Sequence, residues 1–335
     1  MTAPQQNHYR SPYHGDRGSL SQKRHLFMNL HWLTENPKHP ERSDPRLTED
    51  TTLNLLHQFQ QRDITLLPNP SQTEPLTLST NYVCQGQGQP PILLLHGFDS
   101  SILEFRRLIP CLAEKHQVWA IDLLGFGFTE RSLSVTPSPD TIKTHLYYAW
   151  KTLLQEPVIL VGVSMGGAAA LDFTLTSPEL VRQLVLIDSA GLAKPPLASR
   201  WMFPPLDRWA TQFLANPQVR QQISRGAYYD KSFASEDAQA CAALHLNCPY
   251  WSESLIAFTK SGGYGSFRGQ LSQVKTPTLI IWGEQDQILG TKAARQFQQL
   301  MPQSLLVWLP ACGHVPHLEK PQETAQAILD FGDRP

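Results

Sequence analysis

The sequence is short of unbalanced charge, of cysteine and of long apolar runs, and each shortage removes a class of function. Its 28 basic and 29 acidic residues leave a net charge of −1. A basic stripe of the kind that follows a phosphate backbone is therefore missing, which argues against nucleic acid as a partner. The five cysteines, at positions 84, 111, 241, 248 and 312, are odd in number and scattered, with no Cys-x-x-Cys pair. That usage suits a reducing compartment and supports neither a disulfide framework nor a zinc cage. No run approaches the roughly 20 apolar residues that span a bilayer, and the N-terminus is too polar for a signal peptide. The expectation is a cytoplasmic protein, with peripheral contact to a membrane left open. No Gly-x-x-x-x-Gly-Lys stretch is present to cradle a phosphate, and the 12 histidines show no ligand spacing with carboxylates. Neither metal nor cofactor is expected.

What is present is organised around Gly162-Val163-Ser164-Met165-Gly166-Gly167, directly after the apolar run Val158–Val161. Gly-x-Ser-x-Gly is the nucleophile-elbow spacing, which lifts a serine hydroxyl clear of a sheet on a sharp strand-to-helix turn. A side chain two residues before or after that serine would clash, hence Gly162 and Gly166.

With 335 residues, 41% of them hydrophobic, the chain can build one large α/β domain with an insertion. Residues 1–75 read as an N-terminal arm, partly ordered. Helical spacing covers Leu20 to Leu33, where Leu26, Phe27, Leu30 and Leu33 recur behind Lys23 and Arg24, and again Thr51 to Gln61, with Asp50 available as a cap. Residues 76–190 and 272–335 alternate strands with helices. Strands are expected at 76–83, 91–95, 118–121, 158–161, 184–187, 278–282 and 304–309, and helices near 101–113, 141–154, 291–300 and 321–331. The rhythm indicates a doubly wound, mostly parallel sheet. Residues 191–271 lose it. Their helical stretches are interrupted by Pro195, Pro196, Pro204, Pro205 and Pro217, and they carry 12 of the chain's 31 aromatics. An insertion after a strand's C-terminal end sits over the ligand side of such a sheet, so a helical lid for a bulky apolar small molecule is expected. Trp201, Tyr250, Trp251 and Tyr264 are its candidate substrate contacts.

A serine needs a base to take its proton and a third group to orient that base. After a Gly-x-Ser-x-Gly elbow the partners follow in the order acid, then histidine. Asp286 in Trp282-Gly283-Glu284-Gln285-Asp286 and His314 in Cys312-Gly313-His314 satisfy that order beyond successive predicted strands. Ser164 is thus the candidate nucleophile, His314 the base and Asp286 the orienting acid. The main-chain N–H groups of Phe98 and Met165 are the candidate oxyanion hole. Asp188, after the strand that follows the elbow, is an alternative acid. Asp122, Asp99, His96 and His317 read as loop braces, and Cys312 as a small buried residue.

Together these four motifs resemble the α/β-hydrolase superfamily over residues 76–331. Five further stretches resemble the plant and cyanobacterial chlorophyll dephytylases and related prenyl-ester hydrolases. They are Gly97-Phe98-Asp99-Ser100-Ser101 followed by Leu103-Glu104-Phe105-Arg106, His145 to Trp150, Pro249-Tyr250-Trp251, Ser261-Gly262-Gly263-Tyr264, and Cys312 to Pro321. The resemblance implies the α/β-hydrolase fold and a serine esterase removing phytol from chlorophyll or a related pigment. It also implies a cyanobacterial host and a peripheral place on a thylakoid membrane. At the elbow the chain carries the version common across the superfamily, where the plant members have Pro-Ser-Leu-Gly-Ala. Other readings of the same triad are a carbon–carbon hydrolase of dienoate-type substrates, which would want cationic groups in the pocket, such as Arg200, Arg208 or Arg225 facing inward, and a receptor that turns over once or not at all.

Overall fold

The computed structural model describes residues 44–67, 74–193 and 205–332. The helical stretch expected at Leu20 to Leu33 lies outside them. Eight strands form one sheet: β1 (Gln60–Leu66), β2 (Leu76–Gln85), β3 (Ile92–Leu95), β4 (Val118–Ile121), β5 (Val158–Val163), β6 (Val181–Ile187), β7 (Thr278–Gly283) and β8 (Ser304–Leu309). Their spatial order is β1-β2-β4-β3-β5-β6-β7-β8. β1 and β4 each pair antiparallel with β2, and all pairs from β4 through β8 are parallel. β3, β5 and β7 are buried at every position. That is the reason they read as unbroken apolar runs, since helices cover both faces of a parallel sheet.

The sheet reaches further toward the N-terminus than the sequence suggests. The helix expected over Thr51 to Gln61 stops at His57 (α1, Asp50–His57), and Gln60 already belongs to β1. β1 is an edge strand whose first four residues are exposed, so only Ile64 and Leu66 turn inward. A polar edge of this kind carries almost no alternation to read. Asp50 does not cap α1: Glu49 holds the cap position without a side-chain bond, and Asp50 is the first helical residue. The helix expected near 101–113 divides into a 3₁₀ turn (Ile102–Phe105) and α2 (Leu108–Ala113). Pro110 explains the division, because it cannot donate to the carbonyl of Arg106 and is tolerated only in a first turn.

α3 (Pro139–Leu153) opens with a reciprocal bond between Ser138 and Thr141 and has Pro139 in its first turn. α4 (Met165–Thr176) begins Met-Gly-Gly-Ala-Ala-Ala and is buried nearly all round, as a helix seated against the middle of a sheet must be. Between β6 and β7 the described residues hold no strand but four helices, α5 (Leu206–Ala215), α6 (Pro217–Ala227), α7 (Glu236–Ala243) and α8 (Trp251–Lys260). Here Pro205 and Pro217 start helices rather than break them: Pro205 is the N-cap of α5, and Pro217 opens α6 behind the Asn216 cap. After β7 come α9 (Lys292–Leu300), the short α10 (Pro316–Glu319) and α11 (Pro321–Gly332). No helix among the described residues is long and apolar enough to cross a membrane.

The contact between β5 and α4 sets the whole active edge. A Cβ on Gly162 would lie 2.3 Å from the carbonyl oxygen of Gly166, and one on Gly166 would lie 2.1 Å from that of Leu95. Backbone cannot move aside as a side-chain tip can. Gly166→Ala is therefore expected to destabilise the fold by about 3 kcal/mol or more, at the upper end of overpacking penalties. A thermal melt matching that of the unsubstituted chain would refute the tight contact.

Candidate active site

Ser164 stands between β5 and α4 with φ 51° and ψ −117°. Its main chain is over-determined: its N–H donates to Ile187 at 3.0 Å, and its carbonyl accepts from Gly167 at 3.0 Å and Ala190 at 2.9 Å. Those bonds hold a non-glycine residue in a conformation it would otherwise leave. Met165 follows as the first residue of α4, so its N–H has no partner within the helix. Phe98 occupies the loop after β3, where Gly97 N–H is already taken by Glu104 at 3.0 Å. The two sequence-predicted donors thus lie at the start of α4 and on the loop after β3.

Asp286 and His314 come from the turns after β7 and β8. Nδ1 of His314 lies 3.1 Å from Oδ2 of Asp286, while Oδ1 of Asp286 accepts from Ile288 at 2.7 Å and Leu289 at 3.1 Å. Burial works against the charge on Asp286, but His314 and the two main-chain donors outweigh it and hold the carboxyl below its ordinary range. The base loop is fastened in turn by Glu319, which accepts from Gly313 at 2.8 Å, Tyr229 at 3.0 Å and Asp230 at 2.6 Å. The predicted acid and base therefore meet, and His314 and Ser164 open onto one cavity of about 330 Å³.

That cavity is lined mainly by apolar surface, with Leu214, Ile223, Ala227, Ala238 and Ile288 among its walls. The aromatics singled out from the sequence lie elsewhere. Trp251 gives its indole N–H to Asp99 at 2.7 Å. Tyr250 is 46% exposed, with φ 59° at the start of α8. Tyr264 packs between Phe258 and Phe267, with ring centroids 6.0 and 6.5 Å away. None of the three lines the cavity, whereas Tyr228 of the same insertion does. Trp201 lies outside the described residues.

Sequence reasoning missed the polar side of the cavity, made by Glu104, Arg106 and His317. Burial raises Glu104 to about 7 and lowers His317 to about 3. Among the described residues, neither ring nitrogen of His317, nor Nε and Nη2 of Arg106, has a hydrogen-bond partner. Arg106 still has counter-charges nearby, Glu49 at 3.5 Å and Asp237 at 3.8 Å. Periodicity offered no signal for these residues, since Glu104 and Arg106 sit in or beside a single 3₁₀ turn and His317 in the four-residue α10, all too short to show a repeat.

The loop braces have identifiable partners. Asp122 accepts from Asn81 at 2.7 Å, Ile102 at 2.7 Å and Phe128 at 2.9 Å. His96 accepts from Leu123 N–H at 3.0 Å, which leaves Nδ1 to donate to Gly97 carbonyl at 2.8 Å. Asp99, with φ 50°, receives Arg220 at 2.7 Å, Trp251 and His245 at 3.1 Å. It ties the loop after β3 to the insertion. Burial opposes the charge on Asp99, yet its donors, His245 first, bring it down to about 2.

A model of the α/β-hydrolase fold matches residues 90–321, and the chain belongs to the α/β-hydrolase family. It is 32% identical over 245 residues to the α/β hydrolase domain-containing protein VTE7 of Arabidopsis thaliana, a match covering 72% of this chain and 73% of that one. It is 29% identical over 266 residues to the 2-hydroxy-6-oxo-6-(2'-aminophenyl)hexa-2,4-dienoic acid hydrolase of Metapseudomonas resinovorans, covering 77% and 88% of the two chains. Among solved structures, an esterase from Thermogutta terrifontis superposes with a TM-score of 0.69 at 22% identity, over 81% of this chain and 97% of that one. At that identity the likeness speaks for the fold alone.

Asp188, weighed from the sequence as an alternative acid, is fully buried at the end of β6 and does not contact the imidazole in place of Asp286. Gly283 N–H lies 3.2 and 3.3 Å from its two oxygens. Burial, and then the neighbouring Asp286 charge, raise its carboxyl well above the usual range, as two adjacent carboxylates cannot both ionise. Its folded pKa exceeds its unfolded one, so stability is lost as pH climbs above about 4, where the unfolded chain ionises and the folded one resists. Asp188→Asn removes that penalty and keeps an N–H for Asp286. The variant is expected to melt higher than the parent at neutral pH, with the difference shrinking toward pH 4. A constant difference across that range would mean that Asp188 is ionised in the folded protein.

Proposed function

We propose that the chain is a serine ester hydrolase acting on a bulky apolar ester. One observation carries the reading: Ser164 on its strained turn and His314, held at Nδ1 by Asp286, open onto the same mainly apolar cavity. In this scheme Ser164 Oγ attacks the acyl carbon as Nε2 of His314 takes its proton. Asp286 keeps the imidazole in the required tautomer and balances the imidazolium. The N–H groups of Phe98 and Met165 receive the oxyanion, each worth on the order of a hundredfold in rate. His314 then protonates the leaving alcohol, and water repeats the sequence on the acyl-enzyme.

The five stretches that resemble the dephytylase group, and the likeness to VTE7, support phytol esters of chlorophyll-type pigments as the substrate class. A cavity of about 330 Å³ is at the low end for ligand sites. It suits one limb of such an ester, with α5 to α8 acting as the lid. The carbon–carbon hydrolase reading has the M. resinovorans relative in its favour. Of the cations it would want, Arg208 and Arg225 are exposed and do not line the cavity, and Arg200 lies outside the described residues; Arg220 and Arg106 do line it, but Arg220 is bound to Asp99 and Arg106 is buried beside Glu49 and Asp237.

Incubation with chlorophyll in detergent is expected to yield chlorophyllide and free phytol over many turnovers. Ser164→Ala should lose at least about a thousandfold in rate while melting as the parent does. Cleavage restricted to short esters would remove the phytol assignment. A single stoichiometric burst with a covalent serine probe substrate would replace the enzyme by a receptor, and full activity in Ser164→Ala would sink the mechanism.

A further inference from the structure

The cavity wall holds a buried histidine whose ring makes no hydrogen bond among the described residues. His317 lies in α10, is 0% exposed and packs on Phe105 with ring centroids 5.6 Å apart. Both of its ring nitrogens lack a partner. Oε1 of Glu104 is 3.8 Å from Nε2, beyond hydrogen-bond reach. His145 differs: its Nδ1 is orphaned too, yet its Nε2 meets Thr80 at 2.8 Å, and the residue does not line the cavity. Leaving a buried polar group unpaired is costly, and each such group in a native fold needs an explanation. His317 lines the cavity that holds Ser164 and His314, so a bound molecule can supply what the protein does not.

Two further polar residues share that wall. Arg106, 2% exposed, gives Nη1 to the carbonyl of Leu103 at 3.3 Å, while Nε and Nη2 have no hydrogen-bond partner among the described residues. Glu104 accepts from Gly97 N–H at 3.0 Å. Gly97 lies between this carboxyl and the nucleophile: a Cβ built on it would stand 3.6 Å from Oε2 of Glu104 and 3.6 Å from Cβ of Ser164. The polar wall thus begins beside the nucleophile, in a cavity that is otherwise mainly apolar.

The orphaned atoms define what can bind. Burial, with His314 and Arg106 nearby, lowers His317 to about 3, so its ring is neutral and offers one N–H and one lone pair. Arg106 offers N–H groups only. Donors outnumber acceptors, which calls for an oxygen acceptor on the ligand. A carboxylate is the wrong one: Glu49 at 3.5 Å and Asp237 at 3.8 Å already balance the Arg106 charge, and Glu104 stands beside His317. We infer that His317 and Arg106 form a subsite for an uncharged carbonyl oxygen, of a ketone or of a second ester, which the substrate carries a few bonds from the scissile ester. Such a substrate is held in one orientation, whereas a plain hydrocarbon ester leaves the buried donors unpaired. The subsite rests on the ester reading for the reaction it orients, but not for the binding.

The test compares p-nitrophenyl esters of matched acyl length: straight alkanoates, the corresponding oxoalkanoates, and the methyl diesters and free half-acids of the matching dicarboxylic acids. A second set carries the carbonyl on the alcohol side, as hexanoates of oxo-alcohols. The parent is expected to favour at least one ketone or diester over its plain counterpart by about tenfold or more in kcat/KM, chiefly through KM, and to reject the half-acids. His317→Leu should bring that ratio to within about twofold, and His317→Gln, which keeps a donor and an acceptor, should retain most of it. The ratio is read within each variant, so a smaller folded fraction does not imitate the effect. In Ser164→Ala, which should not turn over, methyl oxoalkanoates should raise the melting temperature more than methyl alkanoates do. No ketone or diester favoured in either set, as when the polar wall only orders water, a preference for the half-acids, or a ratio that survives His317→Leu would each overturn the subsite. Failure of the parent on every ester, with the oxo ester still raising the melt of Ser164→Ala, would strike the ester reading and keep the subsite; failure of both measurements would strike both.

Discussion

The near-contact of two backbones at Gly162 and Gly166 is the constraint on which the rest depends. β5 can turn directly into α4 only if no Cβ intervenes, and the turn exists only because Ser164 accepts a φ of 51°. The end of β6 and the loop after it hold it there through Ile187 and Ala190. The strain is local, but its support is drawn from β3, β5 and β6 together. The serine is therefore as rigid as the middle of the sheet.

Around that point the loops are ordered by carboxylates that accept main-chain or side-chain N–H groups. Asp122 gathers the loop after β4, Asp286 its own turn after β7, and Glu319 the base loop together with Tyr229 and Asp230. Asp237 does the same for the start of the described chain, accepting from Thr48 at 2.6 Å, Glu49 at 2.9 Å and Thr52 at 2.8 Å. With Asp99 on the loop after β3, the bonds of Asp237 and Glu319 fasten the insertion to the core at three places. Charge-assisted bonds of this kind are stronger than neutral ones and set loop geometry without regular structure.

Legibility followed the physical origin of each signal. β3, β5, β6 and β7 were readable because strands buried on both faces must be apolar throughout. The elbow turn and the meeting of Asp286 with His314 were readable because Gly-x-Ser-x-Gly spacing and loop position carry steric and topological information. β1 was not, because an edge strand with a polar face resembles loop. The role of the insertion's aromatics was also hidden: composition says that large rings are present, but not whether a ring faces a cavity, as those of Tyr250, Trp251 and Tyr264 do not, or braces a core. Asp188 looked like a spare acid, and only the fold shows it buried beside Gly283 and Asp286, where its carboxyl is pushed well above its ordinary range.

By itself the sequence determined the sheet's parallel half, the position of Ser164 between strand and helix, and the chain order of its partners, because these depend on local sterics and on which residues must be apolar. Tertiary structure alone decided which side chains line the cavity, that Asp99 binds Arg220, His245 and Trp251, and that Glu104, Arg106 and His317 share one wall beside the serine. Those outcomes arise from contacts between residues more than a hundred positions apart, or from which side of a helix meets the core, and neither is encoded in any short window of sequence.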